Sequence, residues 1–388
     1  MISKQKGGIS VKKAIAVLCL AAMMLTSCAS AGQGKTAEGA VPLEKVKAEL
    51  EGFSYSKYPN VSFECDVPSI DTDELYIITM RDTLEAGKAE REDEMKMASA
   101  LADIFDIPED EADKYTSKPD SFNGEAAVEI GQKCVGYVRH GIPSFVIYNY
   151  DNIALLPDRN MNYETCTNYT VKNYPKDEFD MADGGKLTVD KAIEQGERIV
   201  DSLLKNGLFD KEAQAPRLER ISIKPTANGN VITLHYNDVR YGLEIDDSGM
   251  FDAESDDPQL RNPFFFIDFA GNNKPLQIKN LYDDGMLSKE PVSEILPLSK
   301  AQEYLSKGLA PHIDAHVSET ALRYVCIQQK DIKNRVYRPM WCFLLQEYPD
   351  GADLKRPFKR RTALVDAIDG TVWYYDPDAY QLYKTELE

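Results

Sequence analysis

Two histidines are the first candidates for metal chemistry. His312 and His316 are four residues apart, so on a helix both imidazoles would face one ion. Pro311 comes directly before them, however, and a zinc site needs at least one more protein ligand, for which His140 and His235 are the remaining imidazoles. We therefore expect no metal or other cofactor, and we interpret the segment as a solvated connector between a helix and a strand.

The sequence around Cys28 points to attachment of lipid. Four lysines with no acidic residue precede an apolar run of 12 residues from Ala14 to Leu25, and the small residues Thr26 and Ser27 lead to Cys28. These are the parts of an export signal, and Leu-Thr-Ser-Cys resembles the lipobox of bacterial lipoproteins. The resemblance implies that residues 1–27 are a signal peptide and that the Cys28 sulfur carries a lipid, which anchors a protein durably once two or more acyl chains are present. The alternative is an ordinary secretory signal cut nearby.

The apolar run also bears on how the protein meets the membrane. A spanning helix needs about 20 apolar residues, so a permanent transmembrane anchor is not expected. We predict a lipid-anchored protein on the extracytoplasmic face of the cell membrane.

Five cysteines would remain in the exported chain, and an odd number leaves at least one outside any intramolecular disulfide. Cys326 and Cys342 lie in two strand-like runs, and hairpin pairing about Asn334 would set them opposite each other, where a disulfide is sterically allowed. The alternative is that both are buried thiols that act as small apolar side chains.

Carboxylates are abundant, but their spacing matches no catalytic pattern. The densest run, from Asp246 to Asp257, lacks the regular ligands and the distant glutamate of an EF-hand loop. A hydrolytic pair cannot be chosen among 64 acidic residues from sequence alone. We therefore name no catalytic residue and interpret the run as a solvated acidic loop.

One basic cluster departs from the acidic character of the chain. A predicted connection between strands has five basic residues in a stretch of seven, namely Lys355, Arg356, Lys359, Arg360 and Arg361. Such a cluster can keep a strand edge soluble, or it can contact an anionic partner such as a wall polymer, lipid headgroups or an acidic protein surface.

Composition indicates an acidic globular protein. Hydrophobic residues make up 43% of the 388 residues, with 21 tyrosines and 14 phenylalanines available for a core. Loss of the four signal-peptide lysines would move the net charge from −19 to about −23. Such a surface repels nucleic acid, so we expect no nucleic-acid partner.

Patterning along the chain predicts an α+β fold behind a flexible tether at residues 28–41. An N-terminal strand and helix domain is expected at 42–182, with a helix from about Arg91 to Phe105 whose apolar stripe is formed by Met97, Leu101, Ile104 and Phe105. Two further units, each a helix followed by an antiparallel sheet, are expected at 186–296 and 297–388.

Local signals predict several boundaries within these units. Thr188 is expected to cap the helix of the middle unit, whereas Ser299 and Gln302 form a capping box for the helix of the last unit. Asp369-Gly370, between two strand-like runs, predicts a tight hairpin that sets Val365 opposite Tyr374.

In the last unit, strands containing Arg338-Pro339-Met340-Trp341 and Ala363-Leu364-Val365-Asp366-Ala367-Ile368-Asp369-Gly370-Thr371-Val372 follow a helix. Over roughly residues 298–376 this order resembles a PepSY-type domain, in which an α-β-β unit ends in a phrase such as VDAxTG. The rest of the chain is similar in plan to uncharacterised lipoproteins of Gram-positive anaerobes. The resemblance implies a surface-held module without catalytic residues, of a kind associated with inhibition of proteases or regulation of envelope enzymes and sensor kinases.

These patterns favour a non-catalytic binding or regulatory module at the cell surface, with an envelope protein or a wall polymer as its partner. One alternative is a cell-envelope hydrolase, which requires a cleft with converging carboxylates. Another is a ligand-capture lipoprotein that feeds a transporter. We rank it last because the chain lacks the repeated strand–helix alternation of two-lobed binding proteins.

Overall fold

The structure is a computed structural model, which describes residues 36–82, 88–119, 125–140, 144–150, 155, 166–209, 214–246, 265–271, 274–280, 284–309, 313–326, 334–349, 359–376 and 381–385. Within these ranges the helices are α1 (Leu43–Leu50), α2 (Arg91–Phe105), α3 (Glu109–Ala112), α4 (Val189–Lys205) and α5 (Leu298–Gly308). None of these described helices is both long and apolar enough to span a bilayer.

The strands of the first half of the chain are β1 (Val41–Pro42), β2 (Val61–Phe63), β3 (Leu75–Asp82), β4 (Thr116–Pro119), β5 (Ala126–Ile130), β6 (Cys134–Val138), β7 (Phe145–Asn149), β8 (Thr167–Thr170), β9 (Glu178–Asp180) and β10 (Lys186–Thr188). Those of the second half are β11 (Arg217–Thr226), β12 (Gly229–Asn237), β13 (Val239–Arg240), β14 (Leu243–Asp246), β15 (Phe265–Phe269), β16 (Pro275–Asn280), β17 (Asp284–Val292), β18 (Glu294–Ile295), β19 (Ile313–Cys326), β20 (Asn334–Pro349), β21 (Lys359–Asp366), β22 (Val372–Asp376) and β23 (Gln381–Thr385).

Nine antiparallel strands form the first sheet, in the order β4-β5-β6-β7-β16-β15-β12-β11-β8. Its core contains Met97 and Leu101 of α2 and Leu203 of α4, none of which has exposed surface. The predicted apolar stripe of α2 is therefore confirmed. The helix lies so close to the sheet that a Cβ added at Gly136 of β6 would overlap the Met97 sulfur.

The second sheet is built on the long antiparallel hairpin of β19 and β20. β21, β22 and β23 extend the sheet beyond β20, and β3 pairs with the first residues of β20. β2 and β14 pair in parallel with the other edge of the hairpin, along β19. Trp341, Phe343 and Tyr324 are among the largest fully buried side chains of the core beneath this sheet.

The two sheets interleave along the chain, so the predicted domain boundaries do not separate them. Of the strands predicted within 42–182, β2 and β3 belong to the second sheet and β4 to β8 to the first. The strands of 186–296 divide in the same way, whereas the described strands of 297–388 all lie in the second sheet. The chain is a mixed α+β protein in which strands distant in sequence complete each sheet, a pairing that local periodicity does not encode.

The N-terminal segment is bound to the body over part of the predicted tether. The Ala37 N–H donates to the Ile368 carbonyl at 2.8 Å, and β1 pairs with β18. The predicted tether of 28–41 is therefore too long, because the chain already contacts the body at Ala37.

The two predicted helix starts have different outcomes. α4 begins as expected, with the Thr188 hydroxyl accepting a hydrogen bond from the N–H three residues later, at 3.2 Å. In α5 the predicted capping box is wrong. The Ser299 N–H donates to the Glu49 carboxylate of α1 at 3.0 Å, and Gln302 is fully buried.

The final hairpin differs from its predicted register by two residues. Val365 pairs with Val372 rather than with Tyr374. The Asp366 carboxylate accepts hydrogen bonds from the backbone N–H groups of residues 368 and 369, at 2.8 and 3.2 Å. These bonds favour a wider turn than the two-residue turn that Asp-Gly predicts.

Candidate functional site

A cleft of about 1270 Å³ opens between the two sheets. Five segments form most of its walls: residues 63–69 from the end of β2 onward, residues 168–172 at the end of β8, residues 217–220 of β11, residues 242–244 at β14 and residues 318–323 of β19. Successive side chains of a strand point to opposite faces of the sheet. A sheet face alone would therefore contribute only every second residue to the cleft. Because consecutive residues line it, strand edges border the cleft as well.

A β-bulge places two opposite charges in one wall of the cleft. Leu218 pairs with Tyr236 and Arg220 pairs with His235, which leaves Glu219 as the extra residue. A bulge can redirect a side chain that would otherwise point to the other face of the sheet. Both Glu219 and Arg220 line the cleft.

The surroundings of these two side chains differ. The Glu219 side chain is reached by water but is surrounded by protein, and the loss of solvation raises the pKa of its carboxyl despite the nearby Arg323 and Arg220. Among the described residues, no carboxylate forms an ion pair with Arg220, and its buried Nε atom has no hydrogen-bond acceptor. The wall therefore offers one carboxyl group and one guanidinium to a ligand.

Arg323 connects β19 to β14 on the adjacent wall. Its guanidinium lies 3.0 Å from the Glu319 carboxylate, 3.4 Å from that of Asp246 and 3.5 Å from that of Glu244. Burial lowers the pKa of Arg323, but the carboxylates of Asp246 and Glu244 raise it, and the net shift is upward. Arg217 reaches the same Glu244 at 3.1 Å. These charges pair with one another and so hold the wall in place.

Two potential nucleophiles near the cleft lack activation. The Ser222 hydroxyl donates to Asn168 Oδ1 at 2.6 Å, so its contact with His235 Nε2 at 2.9 Å requires the imidazole to donate. Burial lowers the pKa of His235 well below its usual value and keeps the ring neutral. Burial also raises the pKa of the Cys342 thiol well above its usual value, which disfavours the reactive thiolate. The arrangement is suited to binding rather than to nucleophilic catalysis.

The histidine segment proves to be a strand. His316 lies in β19, where its Nδ1 atom is 3.0 Å from the Ser62 hydroxyl and its Nε2 atom 3.7 Å from the Glu64 carboxylate. His312 lies outside the described residues. The helical spacing behind the metal candidate does not apply, and the interpretation of 313–316 as a connector is wrong. Among the described side chains, no group of three or more potential ligands is arranged for a metal ion.

Of the two alternatives for Cys326 and Cys342, the disulfide is wrong and the pair of buried thiols is confirmed, because both cysteines are thiols and at most 5% exposed. Cys326 pairs with Tyr337, and Cys342 pairs with Ala321, so the two cysteines are separated along the hairpin. They also belong to different apolar clusters. Asn334, about which the prediction required the pairing, is itself the first residue of β20.

Other predicted site residues fall partly or wholly outside the described ranges. These are Cys28, Lys355 and Arg356, together with residues 247–257 of the acidic run. Lys359, Arg360 and Arg361 begin β21, paired with residues 345–347 of β20, rather than lying in a connecting loop. Asp246 belongs to β14 and to the wall of the cleft instead of to a solvated loop.

Sequence reasoning missed Glu219, Arg220 and Arg323. One signal was present in the sequence Arg-Leu-Glu-Arg-Ile-Ser-Ile-Lys, in which two adjacent charges interrupt the alternation expected of a half-buried strand. No local pattern brings Arg323 to Glu244, because β14 and β19 are far apart in the sequence.

The fold is thus a mixed α+β architecture of two interleaved sheets with a charged cleft between them. A crystal structure of an uncharacterised protein from Eubacterium rectale is similar, with a TM-score of 0.50 over 88% of this chain and 99% of that chain, at 13% sequence identity. At this identity the similarity shows the fold alone. No protein-family model matches the chain, and no curated protein matches it significantly.

Proposed function

We propose that this chain is a lipid-anchored binding or regulatory protein of the cell surface and that the cleft between its sheets is where it holds a partner. The observation that carries the proposal is the cleft itself. It combines a volume of about 1270 Å³ with a wall of paired charges and two charged side chains, Glu219 and Arg220, that are available to a ligand.

The short tether supports a role close to the membrane. The chain contacts its own body at Ala37, nine residues after Cys28. Even fully extended, nine residues reach only about 30 Å. A partner held in the cleft would therefore belong to the membrane, to the space beside it or to the inner layers of the wall.

The last unit is consistent with the PepSY-type resemblance. α5 is followed by the consecutive antiparallel strands β19, β20, β21 and β22, as an α-β-β unit extended by a hairpin would be. That family is associated with regulation of envelope proteins, which supports a protein partner over a small solute.

A cell-envelope hydrolase is the second candidate, and one observation favours it. Glu219 has a raised pKa and shares the cleft with Glu244 and Asp246. Many hydrolases place two carboxyl groups in contrasting environments, so that one serves as the acid and the other as the base. We rank it second because Glu244 and Asp246 already pair with Arg323.

Site-specific photo-crosslinking in intact cells tests the binding function. A photoreactive amino acid replaces Leu344, which lines the cleft and is 37% exposed, and the matched control replaces Met95 on α2, which is 47% exposed. We expect a discrete crosslinked product from the cleft position and none from the control. Equal products from both positions, or none from either, would reject the cleft as the binding site.

Lipid attachment needs its own test. Metabolic labelling with an alkyne fatty acid should tag the wild-type chain and the Cys65→Ala control, but not Cys28→Ala. Retention of the label in Cys28→Ala would show that the anchor is elsewhere.

A further inference from the structure

The outer edge of β19 is paired at its two ends and open between them. β2 pairs with residues 315–317, and β14 pairs with residues 324 and 325. Within the described part of the chain, no strand pairs with residues 318–323 on this edge, and all six of these residues line the cleft.

The register shows which backbone groups face this opening. Along an antiparallel ladder, pairs of directly opposite residues alternate: one pair forms two backbone hydrogen bonds with each other, and the next pair forms none. The Pro339 carbonyl accepts a hydrogen bond from the β21 side, so residues 339, 341 and 343 direct their backbone groups away from β19. Thr320 and Leu322 lie opposite 343 and 341. Their N–H and C=O groups must therefore point away from β20 and into the cleft.

The paired part of the same edge agrees with this assignment. Before the irregularity at Ser318, the Ala315 N–H donates to the Asn60 carbonyl, and the Val317 carbonyl accepts from the Glu64 N–H. These residues lie opposite 347 and 345, which continue the alternation of 343 and 341. The bulge shifts the outward-facing set in β19 from residues 315 and 317 to residues 320 and 322.

The length of the opening defines the size of the missing strand. Six residues at about 3.3 Å each span roughly 20 Å. A segment of five or six extended residues would continue the line of β2 and β14 and complete the edge. Main-chain hydrogen bonds supply the affinity in this mode of recognition, and side-chain pockets supply the specificity.

Charge indicates what kind of segment would fit. Among its described residues the lining has seven carboxylates and four basic side chains, and Glu219 forms no ion pair. Complementary potentials steer association and select partners. A basic segment is therefore favoured over an acidic one, and Arg220 remains available to a backbone carbonyl of that segment.

We infer that the cleft binds an extended peptide segment with basic side chains, which adds as a strand to β19 beside Thr320 and Leu322. This inference rests on the proposed binding function and specifies its partner as a protein and its mode as strand addition.

Fluorescence anisotropy with synthetic peptides tests the inference on the full chain in detergent micelles. The probe is a labelled hexapeptide that alternates valine with lysine, and its glutamate counterpart is the charge control. We expect the lysine peptide to bind at least tenfold more tightly than the glutamate peptide, and Glu219→Gln to weaken its binding about threefold. Equal binding of both peptides, or binding of neither, would overturn the inference.

N-methylation separates strand addition from simple charge attraction. Two isomers of the lysine peptide carry N-methyl groups on alternate residues, so that each isomer blocks one edge of the strand. One isomer should lose at least tenfold in affinity while the other stays within about twofold of the parent. Equal behaviour of the isomers rejects strand addition. If the isomers behave equally but a partner still crosslinks at Leu344, the binding function is retained and only strand addition is rejected.

Discussion

The two outer edges of the β19–β20 hairpin differ in how completely neighbouring strands pair with them. Along β20, β3 pairs with residues 334–337 and β21 with residues 340–347, so only two residues lie between the neighbouring strands. Along β19, the opening between β2 and β14 is six residues long. One hairpin thus carries a closed edge on one side and an open edge on the other.

Each edge has an arginine that reaches carboxylates of the neighbouring strand, but the surroundings differ. On the closed edge, Arg338 lies 2.6 Å from Asp366, whose side chain is 2% exposed. On the open edge, Arg323 contacts Asp246 and Glu244 of β14, which are 12% and 15% exposed, and also Glu319 of its own strand, which is 54% exposed. An exposed strand edge invites aggregation, and the cleft protects this one by recessing it between the sheets. The difference separates an edge built for stability from one kept accessible.

The largest expected effect is on the closed edge. Arg338→Ala should lower the free energy of unfolding by about 3–5 kcal/mol, because it leaves the Asp366 carboxylate buried without its partner. Arg323→Ala should cost only about 1–2 kcal/mol, since water in the cleft can solvate the released carboxylates. Urea denaturation of both variants makes the comparison. Equal costs would show that the two edges are energetically alike.

Proline substitutions test the direction of the backbone groups in β19. Ala321→Pro removes an N–H that donates to β20 and should cost about 3 kcal/mol or more. Leu322→Pro removes an N–H that faces the cleft, so its cost should be limited to trimming a buried side chain, about 1–2 kcal/mol. Urea denaturation measures both. A greater loss for Leu322→Pro would contradict the assigned register.

Hydrogen exchange should distinguish the same residues without any mutation. The amides of Thr320 and Leu322 should exchange about tenfold or more faster than those of Ala321 and Arg323, whose N–H groups donate to β20. Amide exchange followed by NMR gives the rates. Addition of the lysine peptide should slow the two fast amides selectively, and a uniform change along β19 would argue against strand addition.

The smallest expected effect is the pH dependence at Glu219. Its pKa is raised in the folded chain, so the folded protein holds this proton more tightly than the unfolded chain does. Wild type and Glu219→Gln should be equally stable below the unfolded pKa of about 4.3. As the pH rises through the higher folded pKa, wild type should become less stable than the variant by a few tenths of a kcal/mol, since water reaches the side chain. Urea midpoints between pH 3.5 and 8 test the sign.

Local structure was predictable where the cause is local. The Thr188 cap and the apolar stripe containing Met97 depend on residues within one or two turns of helix, and both are confirmed. The capping box at Ser299 failed because the acceptor is Glu49, which approaches from a helix about 250 residues earlier. Distant partners of this kind leave no trace in a short window of sequence.

The candidate site was less predictable than the elements that form it. Glu219 lies in the cleft because a bulge redirects it, and Arg323 contributes to the wall because β14 pairs with β19. Both depend on register, which the alternation of a single strand constrains only when its partner is known. The same dependence explains the failed pairing of Cys326 with Cys342.

The attachment of Ala37 to Ile368, followed by the two-residue pairing of β1 with β18, has a mechanical consequence. If the lipid holds one end of the chain while a partner pulls on the cleft, the load reaches this short ladder before it reaches either sheet. A ladder of two residue pairs resists little force, whereas the long β19–β20 hairpin resists far more. Detachment of residues 37–42 from the body would lengthen the tether and relieve the force, so this short ladder would open while the cleft stays intact.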